Sequence, residues 1–432
     1  AGLDYTLWEW MPGLSLAFEL EPLGLIFASV AGVLWPVTTV YATGYMRAQK
    51  EPNQTRFFFC FAVAIAAAQW IALSGNLLTL FIGYEVLTLS TWPLVTHRGD
   101  TAARDGGRVY LIILLTTSIG LLLPAIVWTW SIAGSTDFVA GGLLTGKASN
   151  TVLCILFALF LFGTGKAALM PFHRWLPSAM VAPAPVSALL HAVAVVKAGV
   201  FTVLKISAYI FGIDNLAETG ASKIMMWVAA FTLLASSLIA LTYDNLKARL
   251  AYSTVSQLAY IVLAATLAST TAIVGGALHI VTHAAAKITL FFCAGAIYAA
   301  SKQIVISGLD GRGRAMPWTF GAFFVASLSI IGLPPLGGTW SKWLLLQGTL
   351  DAQQMLMMWL LLISSLLSLA YLLPIPARAF LLPPKQEVTH GEAPWACVLA
   401  LCVTAAACVV LFFFAEPLIA PLQQALEVSH DP

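Results

Sequence analysis

Five lysines stand where lysine is costly: Lys166, Lys197, Lys205, Lys287 and Lys342 each fall inside a long apolar stretch. A Lys at mid-bilayer costs about 2.5 to 3.5 kcal/mol, so five unpartnered ones would cost roughly 15 kcal/mol, as much as a domain's whole stability. Chemistry explains their retention better than architecture does. A buried amine gives up its proton readily, and a nearby carboxylate restores its affinity, so a Lys with a switchable neighbour can hold or release a proton near neutral pH. Arginine cannot do this, being effectively always protonated, and none lies in the interior of the apolar stretches. Of nineteen acidic residues only Glu85, in Gly83-Tyr84-Glu85-Val86-Leu87, lies well inside such a stretch. It is the natural counter-charge, and a buried carboxylate and amine titrate as a unit.

A third group is His279, His283 and Lys287, spaced i, i+4, i+8. At about 100° per residue they drift only some 80° around a helix and so line one stripe. Histidine titrates near pH 6.5 and suits an intermediate station. Two satisfied core histidines, or a metal clamp, are the competing readings. The metal reading is the weaker, because no Glu follows His279 and no further ligand is evident. His191, six residues before Lys197, and His173 are secondary candidates. Lys205 is another, although near a helix end it could instead stretch to the interface as an anchor.

The elements that hold these residues are membrane helices. The chain is 60% hydrophobic and only 9% charged, with a mean hydropathy of +0.89, which excludes a water-soluble fold. Apolar runs of about 20 residues, the length that spans the hydrocarbon as helix, recur about twelve times: 21–43, 56–74, 76–97, 108–131, 150–173, 184–211, 223–242, 250–268, 271–300, 316–348, 355–378 and 393–414. The fold class expected is therefore an all-α polytopic membrane protein. Basic residues crowd one set of alternating loops, among them Arg47, Arg98, Arg174, Lys247, Arg312 and Lys385, whereas the opposite set holds only Lys147 and Lys223. The positive-inside rule then puts both termini on the outer face. The start without an initiator Met is read as a chain lacking a preceding helical hairpin.

Two of the spans are interrupted, at Gly163-Thr-Gly165-Lys166...Pro171 and at Gly332-Leu-Pro334-Pro335-Leu-Gly337-Gly338, just before Lys342. Pro and Gly open the backbone ladder, which is tolerable at membrane depth only beside protein or water. The breaks fall in the fourth helix of each of two five-helix blocks, 56–211 and 223–380, with 1–55 preceding and 393–432 following. Five is odd, so the blocks cross in opposite senses, the arrangement of an inverted repeat with its translocation site at the breaks.

Other signals lead nowhere. The six cysteines show no C-x-x-C spacing and read as small buried hydrophobes. Gly141-Gly-Leu-Leu-Thr-Gly146-Lys147-Ala148 lacks the Ser or Thr of a phosphate loop and any preceding strand. Gly308 to Arg314 lacks the glycine register of a dinucleotide fingerprint. Nothing in the sequence points to a cofactor, a resident metal or nucleic acid.

Taken together, Gly165-Lys166-Ala-Ala, Pro171-Phe-His173-Arg-Trp-Leu-Pro177-Ser-Ala-Met, Ala182-Pro-Ala-Pro185-Val-Ser-Ala-Leu-Leu-His191, Val196-Lys197-Ala-Gly199, Leu250-Ala-Tyr-Ser253-Thr-Val-Ser-Gln-Leu, His283-Ala-Ala-Ala-Lys287 and Gly332-Leu-Pro-Pro335...Ser341-Lys342 resemble the antiporter-like subunit family. That family includes the large subunits of Mrp-type multisubunit sodium/proton antiporters and the proton-pumping membrane subunits of respiratory complex I and membrane-bound hydrogenases. The resemblance runs over about residues 16 to 415 and is strongest to the Mrp D subunit. It implies fourteen helices with two inverted five-helix units, the first two helices missing here. It also implies Glu85 pairing with Lys166, Lys197 and the His279/His283/Lys287 helix as the central relay, and Lys342 as the far station. The expected setting is a bacterial cytoplasmic membrane, with other membrane subunits as partners and protons with Na⁺ or K⁺ as cargo. The alternatives are a pumping subunit of a complex I-like, hydrogenase-like or inorganic-carbon-uptake complex, or a scaffold whose polar residues only glue helices together. Two departures stand out: Ser178 replaces the usual Asp, and the lateral helix that ends some relatives is absent.

Overall fold

The computed structural model describes residues 3–384 and 391–427, so Lys385, counted above with the inner basic residues, lies outside the described residues. The chain opens with an antiparallel hairpin, β1 (Asp4–Met11) and β2 (Leu14–Glu19), in the register Asp4↔Glu19 and Thr6↔Ala17. The all-α expectation omits this hairpin, whose strands lie before the first apolar run. Then come α1 (Pro22–Ala48), α2 (Gln54–Ala72), α3 (Leu77–Val95) and α4 (Thr101–Ala133). α5 (Asn150–Gly163) breaks into short turns, after which α6 (Ala184–Phe211), α7 (Lys223–Thr242), α8 (Leu246–Thr266) and α9 (Thr270–Ser301) follow. The chain continues through α10 (Pro317–Ile331), α11 (Gly338–Asp351), α12 (Met355–Leu381), α13 (Trp395–Phe413) and α14 (Glu416–Glu427).

Among the described residues, nine of these helices are long and apolar enough to cross a bilayer. The protein is an integral membrane protein built of helices. The expected spans outside those nine correspond to α5, to the α10/α11 pair, and to α8. The first two are cut short by their breaks, and α8 carries Lys247, Arg249 and a run of Ser, Thr and Gln. Local chemistry sets the helix starts. The Asn76, Asp100, Asn245 and Ser269 side chains accept hydrogen bonds from the backbone N–H groups of Thr79, Ala103, Ala248 and Ala272, so α3, α4, α8 and α9 are all N-capped.

Two helices form the centre. α6 is buried throughout and α9 almost so, whereas α1, α4, α12 and α13 turn large apolar side chains outward. α9 packs against α1, α6, α8, α10, α11 and α13. α6 is not regular. Its π turns at Leu189–Val193 and Ile206–Phe211 include an i→i+5 bond in which Ala194 N–H donates to Leu189 O. Of the breaks, the first contains a 3₁₀ turn at Gly165–Ala167, and the second turns at Gly332, whose φ of 93° suits glycine.

The hairpin braces the α2–α3 turn. Ala17 N–H donates to Thr79 Oγ1 at 2.9 Å, Gly75 N–H to Ala17 O at 2.9 Å, and Asn76 Nδ2 to Ser15 O at 2.9 Å.

Candidate functional site

Lys166 sits at the unwound end of α5, fully buried. Its ammonium donates to Tyr84 O at 2.8 Å and to Thr88 Oγ1 at 2.6 Å, and it lies 3.1 Å from the centroid of the Tyr84 ring. Its backbone N–H donates to Tyr84 OH at 3.0 Å. The break that frees Lys166 from a regular helix thus seats it on one turn of α3. Gly199 of α6 permits this, since a Cβ there would run into the backbone of Lys166 and Ala167. Trp175 Nε1 closes the turn by donating to Gly165 O at 2.9 Å.

The direct Glu85–Lys166 ion pair implied by the resemblance is not formed among the described residues. Glu85 lies one residue on from Tyr84 and three before Thr88, so its side chain leaves α3 about 60° to 100° away from the residues that cradle Lys166. It remains within electrostatic range of Lys166, and its buried Oε1 has no hydrogen-bond partner. The coupling runs through space.

Lys197, on the central helix α6, is hydrogen-bonded through Nζ to His283 Nδ1 on α9. The His283 and His279 rings are 5.7 Å apart, and His279 stacks 5.8 Å from Tyr260. His279 Nδ1 is 2.9 Å from Ser341 Oγ, which is 3.1 Å from Thr282 Oγ1. Ser341 is the immediate neighbour of Lys342 on α11, and Lys342 and His279 interact electrostatically. Lys342 Nζ donates to Ser365 Oγ at 2.8 Å and to Ile331 O at 3.2 Å, a carbonyl exposed by the second break. Lys287 lies two turns down α9 from His279 and donates to Ser253 Oγ at 2.6 Å and to Leu250 O at 3.3 Å. Apart from the half-buried Ser365, every one of these side chains is buried, so a line of titratable groups crosses the middle of the molecule.

The secondary candidates divide. His191 sits in the first π turn of α6, 4.8 Å from Phe291, with neither ring nitrogen hydrogen-bonded. It interacts electrostatically with Lys287 and Lys247, which places it beside the line. His173 lies apart in a partly exposed turn, 6.1 Å from Tyr252. Lys205 is neither in the line nor an interface anchor. Fully buried, it forms an ion pair with Glu21 at 2.9 Å, donates to Ser74 O at 2.7 Å and sits 4.3 Å from the Phe138 ring.

The acceptors Thr88, Ser253, Ser341 and Ser365 were given no role by the sequence reading, and neither was Glu21. Only Ser341, adjacent to Lys342, and Thr88, three residues from Glu85, carried a positional hint. Lys247, counted as a loop residue, is half-buried and donates to Ala182 O at 2.8 Å.

The arrangement can store and pass protons between neighbouring amines, imidazoles and hydroxyls. Comparison with known proteins identifies the family. Residues 74–368 match the family described as NADH:quinone oxidoreductase/Mrp antiporter, TM. The chain is 30% identical over 400 residues to NADH-quinone oxidoreductase subunit N of Desulforudis audaxviator, covering 90% of this chain and 78% of that one. It is 34% identical over 350 residues to a probable K(+)/H(+) antiporter subunit of Rhizobium meliloti, covering 79% of this chain and 34% of the relative. The fold matches a chain in the structure of the Mrp complex from Dietzia sp., with a TM-score of 0.87 and 21% identity over 100% of this chain and 88% of that one.

Proposed function

Because the chain belongs to the NADH:quinone oxidoreductase/Mrp antiporter transmembrane family, we propose that it is a proton-translocating subunit of a multisubunit monovalent cation/proton antiporter, resembling the Mrp D subunit. The observation that carries this reading is the buried line Lys197–His283–His279–Ser341, flanked by Lys166 on one side and Lys342 on the other. A scaffold would gain nothing from amines and imidazoles where paired amides would serve, given the cost of each charge at that depth.

The mechanism is electrostatic. Glu85 sets the charge on Lys166 through space, and that charge biases protonation along the line. Lys197 hands a proton to His283 across their shared hydrogen bond, and His279 passes it on toward Lys342. Blocks 56–211 and 223–380 act as an inverted pair, each supplying one broken helix and one amine beside the break. The setting is a bacterial cytoplasmic membrane with both termini outside, and the partners are other membrane subunits. Na⁺ prefers carboxylate and carbonyl oxygens, and the relay itself is almost all nitrogen, so the coupled cation is bound outside it.

The test is ΔpH formation in everted vesicles. Glu85→Gln and Lys166→Ala nearly abolish it while complex assembly survives; normal transport by both variants rejects the scheme. A second reading, a proton-pumping subunit driven by a redox or other soluble module, is favoured by the 30% identity to a subunit named for NADH-quinone oxidoreductase. Subunits co-purifying from native membranes separate the two: an NADH, hydrogenase or carbon-capturing module displaces the antiporter reading, and small hydrophobic membrane subunits support it.

A further inference from the structure

Where α1 ends and α13 begins, a groove of about 560 Å³ opens at the protein surface between the last three turns of one helix and the first turn of the other. Its floor is a close helix crossing, since a Cβ on Gly44 would lie 2.9 Å from Ala396 Cβ and 3.3 Å from Cys397 Sγ. Its wall is apolar even where the residues are not. Thr43 Oγ1 donates to Thr39 O at 2.8 Å and Thr39 Oγ1 to Trp35 O at 2.9 Å, so both hydroxyls are spent on their own helix. Trp395, 76% exposed, stands at the mouth, the headgroup level that tryptophan favours.

The rim is cationic. Arg47, exposed in the last turn of α1, makes no side-chain hydrogen bond or ion pair among the described residues, and nor does Lys50. Lys302, at the end of α9, is drawn to the same place by its hydrogen bond to Gln49. The carboxylates nearest in sequence are engaged: Glu51 by Arg98 at 3.4 Å, and Glu392 by the Trp318 N–H at 2.8 Å and Thr319 Oγ1 at 2.6 Å. A basic last turn also complements the dipole of α1, but that does not account for the apolar trough beneath it. Other surface grooves lack the combination. The one beside Arg378 has its guanidinium paired with Asp310 at 2.8 Å, and the one beside Leu25 and Val33 carries Glu21, which Lys205 engages.

We propose that this groove binds an anionic phospholipid, its phosphate held by Arg47 with Lys50 and Lys302 close by, and an acyl chain laid along α1 past Thr43 to Val40. Basic pockets between membrane helices hold such headgroups. Val40 stands seven residues, about 10 Å, deeper than Arg47, so charge and apolar wall fall at the depths of phosphate and chain. The lipid fills the seam between two helices that both hold α9. Tyr41 of α1 donates to Phe292 O at 2.9 Å, and Thr289 Oγ1 of α9 donates to Thr404 Oγ1 of α13 at 2.7 Å. The inference stands apart from what the buried line carries.

The experiment strips the assembled complex of lipid in neutral detergent and titrates it with phosphatidylglycerol or with phosphatidylcholine of the same acyl chains, counting bound lipid by native mass spectrometry. Phosphatidylglycerol binds the wild type more tightly. One cation beside an anionic headgroup is worth about fivefold in affinity, so Arg47→Gln weakens phosphatidylglycerol by about that factor and leaves phosphatidylcholine unchanged, while Arg47→Lys keeps most of the preference. Thr43→Trp fills the groove and removes one bound lipid of either kind; if it does not assemble, Val40→Trp on the exposed wall replaces it. Arg104→Gln, which removes an exposed cation at the start of α4 away from the groove, changes nothing, and glycerol phosphate, which lacks the chains, does not displace the lipid. Equal affinity of the wild type for the two lipids overturns the proposal, as does an Arg104→Gln loss as large as that of Arg47→Gln, an unchanged lipid count in the groove-filled variant, or displacement by glycerol phosphate.

Discussion

Replacing Glu21 with Gln removes the one acid in ion-pair contact with Lys205, which then keeps its charge with only the more distant Glu19 to balance it. The Lys205 side chain is 0% exposed and that of Glu21 10%. Breaking a buried ion pair by removing one partner costs about 3 to 5 kcal/mol. Lys205 would keep the Ser74 carbonyl and the Phe138 ring, and Glu21 stands at the rim, so the lower figure applies. A loss of about 3 kcal/mol changes the folded-to-unfolded ratio roughly 150-fold. Reversible unfolding in mixed detergent–SDS micelles, followed by tryptophan fluorescence, reads this directly. Lys205→Met removes the other partner, and in E21Q/K205M most of the loss is recovered, giving a coupling energy of about 2 kcal/mol or more. An interfacial anchor predicts a cost of only about 0 to 1 kcal/mol. A loss for Glu21→Gln in that range, or a coupling near zero, refutes the buried-pair reasoning.

Thr88→Val deletes one of the two acceptors holding the Lys166 ammonium, at a cost of about 1.5 to 3 kcal/mol; ΔpH formation drops with it, while Thr88→Ser stays close to wild type. Gly199→Ala drives a methyl into the backbone of Lys166 and Ala167, so a thermal scan in detergent should show about 1 to 3 kcal/mol of destabilisation together with reduced flux. His97, in the turn that leaves α3, is held below its ordinary pKa chiefly by burial. The unfolded chain therefore takes up a proton that the folded chain refuses as pH falls through about 6.5. Stability accordingly decreases on acidification below that point, and His97→Phe, which keeps the edge contact with Phe57, flattens this part of the stability–pH curve. An unchanged slope in that variant rules out His97 as its source.

The costly residues were legible because membrane interiors forbid what serves no purpose. Lys166, Lys197, Lys287 and Lys342 stood out against apolar surroundings, and the Gly and Pro of the two breaks marked irregular backbone that the structure contains. What the sequence could not convey was pairing. Lys197 and His283 are 86 residues apart, and only the packing of α6 on α9 joins them. The resemblance coupled Glu85 to Lys166 as neighbours, yet the side chains that meet the amine belong to Tyr84 and Thr88. Glu21 drew no attention at the very start of the first span, yet the fold sets it beside Lys205. The serines were invisible for a different reason: a hydroxyl in an apolar helix is individually unremarkable and gains meaning only when the facing helix is known.

The π turn around His191 has a consequence for any attempt to rebuild this protein. Such a turn accommodates one residue more than an α turn, so the segment from Val195 onward is rotated by about 100° relative to a regular continuation of Ala184–Ala188. Helical-wheel arithmetic carried through it misassigns the face on which Lys197 emerges. Excising a single residue there, such as Ala192, would be absorbed as an ordinary turn that leaves the lysine on the face it now occupies, whereas the same deletion in a regular turn between Val195 and Lys197 would swing it about 100° off its histidine partner. Insertions and deletions in this helix are therefore rotational edits everywhere but at the π turn, and alignments of related chains are best anchored separately on either side of it.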